Sequence, residues 1–150
     1  SRVGLSLLKS PMHPNPWSDM GRSEVTYYIY PHPGDYRSAR VYEKAYEVWS
    51  GAKVVVKERD GGSLPPRASL LEAPHGVIVE ALKAPEVGGG LVLRVYEAEG
   101  RERRAAIRLA TPLKVYETNL LEEDPAPIAE GSEIPIRLGP FEIKTLLLKR

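Results

Sequence analysis

Ala105-Ala106-Ile107-Arg108-Leu109-Ala110 decides the fold class. Ala105, Ile107 and Leu109 fall on one side of an extended chain, and Ala106, Arg108 and Ala110 on the other, the period of a half-buried strand. Comparable short runs surround it: Ser69 to Glu72, Val77 to Lys83, Leu91 to Glu97, Lys114 to Glu117, Ile134 to Leu138 and Ile143 to Leu148. Turn formers separate them at the spacing of a β-sandwich. Gly88-Gly89-Gly90 is long enough to close a hairpin, and Pro125, Pro127 and Gly131 place a loop before the last pair.

Upstream, Val3 to Leu8 reads as strand-like and ends at Ser10-Pro11. Pro11, Pro14 and Pro16 force the next segment into an extended loop. Glu24 to Tyr30 alternates, with Val25, Tyr27 and Ile29 on one face, and reads as a strand stopped by Pro31-His32-Pro33-Gly34. Asp35 then predicts the cap of one helix over residues 36–49, whose stripe of Ala39, Tyr42, Ala45, Tyr46 and Trp49 would dock on an apolar surface. Burial is expected for Tyr42, Tyr46 and Trp49. Ser50-Gly51 closes the helix and Val54-Val55-Val56 resumes the β pattern. The turn-rich run from Asp60 to Pro66 marks a boundary between residues 1–66 and 67–150. The fold class is all-β, with packed sheets and one helix.

The chain has 150 residues, enough for a core that buries roughly 70% of the unfolded surface. Lys and Arg number 21 against 20 Asp and Glu, so charge gives no reason to expect nucleic acid or an anionic membrane as partner. With no cysteine, disulfides and thiolate metal sites are excluded, which suits a reducing, cytoplasmic setting. No apolar run approaches the ~20 residues of a membrane helix. The first residues, Ser1-Arg2-Val3-Gly4-Leu5, enter a strand-like pattern directly, and we read them as the start of a piece of a longer polypeptide.

Two stretches carry a resemblance: Ser10 to Gly34, and Pro140-Phe141-Glu142-Ile143-Lys144-Thr145-Leu146. Three more lie between them in order: Ser69 to Lys83, which contains Glu80-Ala81-Leu82-Lys83, then Leu93-Arg94-Val95-Tyr96-Glu97, then Glu117-Thr118-Asn119-Leu120-Leu121-Glu122. Together they resemble the C-terminal β-rich region of the α-mannosidases of glycoside hydrolase family 38. The resemblance implies the end of a β-supersandwich domain followed by a terminal immunoglobulin-like sandwich. It also implies a whole enzyme that releases terminal α-linked mannose with retention and holds zinc in an N-terminal catalytic portion outside this chain.

A retaining glycosidase needs two carboxylates about 5–5.5 Å apart. His13, His32 and His75 show no i+2 or i+4 metal-ligand spacing, so neither catalytic residues nor a metal site is expected here. The loop around Asp19-Met20-Gly21 is the candidate border of a sugar pocket: Asp19 would accept bonds from hydroxyls, and Gly21 permits a turn that other residues resist. The competing reading is a turn in which Asp19 bonds only local backbone. Arg22, His32 and the loop aromatic Trp17 complete the candidate substrate-binding set. Within the family pattern D-x-G-x-H-x-F-x-Y, Asp19, Gly21 and Tyr27 match, whereas Ser23 and Val25 replace the His and Phe, so no role of that His carries over. The run Arg101 to Arg104 reads as a solvated hairpin end.

The expectation is therefore a non-catalytic β portion that braces the catalytic portion of the same enzyme. Its substrates, oligosaccharide α-mannosides, would be met through the whole protein, and a homo-oligomer is allowed. The alternatives are a free-standing carbohydrate-binding module, a separate structural subunit, or a scaffold for oligomer contacts.

Overall fold

The computed structural model describes residues 4–56, 61–63 and 65–150. Val3 and the boundary residues Asp60 and Leu64 lie outside the described residues. The chain divides into two compact units, Ser1–Asp35 and Tyr36–Arg150.

The second unit holds helix α1 (Val41–Ser50) and six antiparallel strands: β1 (Leu71–Glu72), β2 (Val77–Lys83), β3 (Leu91–Glu97), β4 (Arg103–Thr118), β5 (Ala126–Leu138) and β6 (Ile143–Lys149). Long β4 organises them. Its first arm pairs β1 through Leu71 and Leu109, and its second arm pairs β6 through Val115 and Leu148. Along its other edge β4 pairs β5, with a register break between Arg108 and Leu113 where the ladder bends. Beyond β6 come β3 and then β2.

One hydrophobic cluster joins the two arms. Ile107, Ile134, Ile136 and Leu138 from the first arm meet Val77, Leu93, Val95, Val115, Leu146 and Leu148 from the second. The alternation read in Ala105, Ile107 and Leu109 is real, because Ile107 is buried at the centre of this cluster and the other two pack against it. The sheet thus curls over its own core as a sandwich. Two free edges are blunted: β5 carries Pro127 and Pro135, and β2 is broken by a register shift between Val79 and Ala81.

Four expectations are corrected. Ala105–Leu109 and Lys114–Glu117 are not separate strands but arms of continuous β4. The loop placed at Pro127 and Gly131 is β5, since proline costs no ladder bond where a strand faces open space. The helix starts at Val41, after turns through residues 36–40 that end with Arg40 in the left-handed region (φ 50°). No residue of α1 is buried, and Trp49 is 90% exposed, because the helix meets the sandwich mainly through the hydroxyls of Tyr42 and Tyr46 and the edge of the Tyr42 ring against His75.

The N-terminal unit shows turns at residues 13–14, 16–19 and 33–34, and its described residues form no strand. Glu24 to Tyr30 takes part in no ladder, and Tyr28 and Ile29 are exposed. Alternation specifies which way side chains face, but a strand also needs a neighbour to accept its N–H groups. Val54, Val55 and Val56 are likewise unpaired, at 81 to 88% exposure.

Candidate functional site

Within the N-terminal unit the chain from Ser10 to Gly21 closes on itself. Ser10 and Asp19 both take positive φ (46° and 59°), and the Ser10 N–H donates to the Asp19 carboxylate at 3.0 Å. The Asn15 side chain accepts the Trp17 N–H at 3.0 Å, and Gly21 leaves the loop at φ 114°. One Asp19 oxygen therefore holds backbone nine residues away. Trp17, Asp19, Gly21 and Arg22 share this loop, all exposed. His32 stands apart in sequence, with its ring 5.6 Å from that of Tyr30 and its Nδ1 donating to the Pro33 carbonyl at 3.2 Å. The structure brings the first four together and records no bond between them and His32.

A second constellation lies in the sandwich, among residues given no functional role from sequence alone. Glu97 ends β3 at an inward position in register with Leu93 and Val95, and it is 0% exposed. Its carboxylate accepts four backbone N–H groups: Glu99 at 2.9 Å, Gly100 at 2.6 Å, Arg101 at 3.1 Å and Phe141 at 3.1 Å. Burial would raise its pKa, but these donations together outweigh it and hold the carboxyl below the ordinary range. Arg103 lies 3.8 Å from this carboxylate and 2.6 Å from that of Glu99, so it is no solvated hairpin residue.

Glu99 in turn receives the chain that enters α1. The Tyr42 hydroxyl donates to its carboxylate at 2.8 Å, and the Arg37 Nε and Tyr36 hydroxyl donate to its carbonyl at 2.5 and 3.4 Å. Burial, and then the bond to Glu99, push the Tyr42 phenol above its ordinary pKa. His75 approaches the same carboxylate at 3.5 Å. The period-2 rule, carried one step past Val95, is the signal that would have found Glu97.

Chemically this is a clamp. Glu97 is sealed and saturated with donors, so it has no face for a sugar, and the pair does not flank an open cleft as glycoside cleavage requires. Among the described residues no three or more His, Cys, Asp or Glu side chains are grouped so that they could hold a metal ion, and His75 faces a carboxylate already held by Arg103.

A third network crosses the outer face of the sheet. Arg94 donates to Thr145 Oγ1 at 3.2 Å and to the Leu120 carbonyl at 3.0 Å, and lies 3.9 Å from Glu122. Lys83 meets Glu122 at 2.7 Å. The Lys83 bond holds the Glu122 carboxyl below its ordinary range. A separate pair, Lys144 with Glu117 at 2.7 Å, stands at positions in register with the core-facing Val95 and Leu146.

Residues 76–146 match the model for the glycosyl hydrolases family 38 C-terminal β-sandwich domain. The chain belongs to the C-terminal β region of family 38. Alpha-mannosidase G of Dictyostelium discoideum is 33% identical over 155 residues, covering 96% of this chain and 14% of that protein. Alpha-mannosidase 2C1 of Homo sapiens is 29% identical over 155 residues, covering 99% and 15%. A putative mannosylglycerate hydrolase of Halalkalibacterium halodurans is 33% identical over 129 residues, covering 84% and 14%. The chain thus spans 14 to 15% of the length of these curated relatives. The family 38 resemblance also acquires a physical meaning. Its four stretches within the second unit meet one another in space, Glu97 with Phe141, Arg94 with Thr145 and Leu120, and Lys83 with Glu122.

Proposed function

We propose that this chain is the non-catalytic C-terminal portion of an enzyme that hydrolyses terminal α-linked mannose with retention, and that it braces the catalytic portion. The observation that carries this reading is the chemistry of the acidic cluster: the most buried carboxylate in the sandwich serves four backbone N–H groups and an arginine, none of them a substrate. Catalytic acids and the zinc that assists them belong to polypeptide beyond these residues.

Residues 1–66 would be the tail of the supersandwich domain and 67–150 the terminal sandwich. The exposed apolar segments around Ile29 and Val55 would pair with strands of the preceding polypeptide. Their exposure favours this reading over a free-standing binding module, which would close its own sheets. In the whole enzyme the loop of Trp17, Asp19, Gly21 and Arg22, with His32, would border the sugar pocket. No described helix is long and apolar enough to cross a membrane. The absence of cysteine supports a cytoplasmic enzyme, and a homo-oligomer would form through apolar faces rather than the blunted sheet edges.

The test is expression of the 150-residue chain beside the longer enzyme. The longer protein is expected to cleave an aryl α-mannoside and this chain alone to leave it intact. Turnover by this chain in proportion to its concentration would overturn the proposal.

A further inference from the structure

A shallow groove of about 390 Å³ opens between α1 and β2, lined by Ala45, Tyr46, Trp49 and Glu80. The three helical residues project from one face of α1, spaced three and four apart. Glu80 stands at the register break between Val79 and Ala81, so it is the extra residue that aims its carboxylate away from the ladder. The Tyr46 hydroxyl holds that carboxylate, and it also accepts a bond from the Tyr96 hydroxyl at 3.3 Å. Beside this fixed acceptor stands the open face of Trp49, 90% exposed.

We infer that this groove is a surface binding site for a pyranose ring. The flat indole suits the C–H face of a sugar, and an oriented carboxylate accepts its hydroxyl protons, the pairing of an apolar wall with a few placed polar groups that small-ligand sites use. A polypeptide covering Trp49 fits less well, since it would bury the Glu80 carboxylate against an apolar surface. The valines at 54 to 56, which have no such polar partner, make the contrasting case. The site goes beyond the scaffold role and does not rest on it.

The experiment uses the full chain carrying Trp17→Phe, which leaves Trp49 as the single indole. Methyl α-mannopyranoside and methyl α-glucopyranoside are titrated while indole emission is followed. A saturable change with a dissociation constant on the order of 1 to 10 mM is expected. Glu80→Gln should weaken it by about tenfold through loss of a charge-assisted acceptor. Trp49→Ala should abolish binding measured by calorimetry, with the far-ultraviolet dichroism unchanged. An unsaturable response, or undiminished calorimetric binding to Trp49→Ala, overturns the inference. So does an indole shielded from acrylamide in the longer enzyme, which would mark a polypeptide contact.

Discussion

The Glu97 carboxylate accepts the Phe141 N–H at 3.1 Å, and the Phe141 ring lies against Gly100, which is bonded to the same carboxylate at 2.6 Å. One buried acid thus fastens the turn after β3 to the turn before β6. Glu97→Ala would leave four backbone donors without their acceptor and Arg103 with Glu99 as its one remaining carboxylate, so a loss of about 3 kcal/mol or more is expected in urea denaturation.

The same group sets an acid limit. Its folded pKa lies below the ordinary value of 4.5, so the ionised form stabilises the fold. That contribution is complete above the unfolded pKa and is lost as pH falls through the lowered folded one. Melting temperature should therefore fall below about pH 4.5 in the parent, and Glu97→Gln should flatten that part of the profile. A parallel pair of profiles would show that Glu97 does not carry the limit.

Gly76 and Arg103 are in contact so close that a methyl group at Gly76 would sit 2.1 Å from the guanidinium, on a backbone at φ 77°. Gly76→Ala must therefore strain the chain and push Arg103 from its carboxylates. We expect a cost of about 2 to 4 kcal/mol, read from the urea midpoint. Gly89→Ala is the control, with open space around its added carbon.

Strands β2, β3 and β6 were legible because apolar periodicity, glycine turns and pairing all agree there. The helix was legible in kind from Tyr42, Ala45 and Tyr46, but its start was not, since Asp35 looks like a cap and turns intervene before Val41. The end of β5 was legible as Ile134 to Leu138, but its first half was hidden because Pro127 and Gly131 argue for loop, and only the fold reveals that its far edge is free. The turns of the Asp19 loop were legible in its prolines and glycine. The Glu97 clamp was not, because Glu97 and Phe141 stand in two separate recognised stretches, and a bond to a backbone N–H leaves no mark on the residue type that supplies it.

Tyr42 ties α1 to the sandwich by one hydroxyl at 2.8 Å from Glu99. Tyr42→Phe keeps the ring and removes that bond, so a global loss of about 1 kcal/mol is expected. The larger effect should be local: amide exchange across Val41–Ser50 should quicken while β3 and β6 stay protected. Uniform acceleration would instead mean that helix and sandwich open as one unit.

Val54, Val55 and Val56 form an apolar run with no described ladder, at 81 to 88% exposure. A solvent-facing β-branched run of this kind is a template for intermolecular pairing. The isolated chain should therefore self-associate with rising concentration in size-exclusion chromatography with light scattering. Val55→Lys places a charge in the run and should restore the monomer without changing the melting temperature, because Val55 touches no part of the core cluster. In the longer enzyme the sign reverses: if preceding strands cover this run, the same lysine is buried and should lower stability by about 2 kcal/mol or more. Neutrality in both contexts would show that nothing docks on the run.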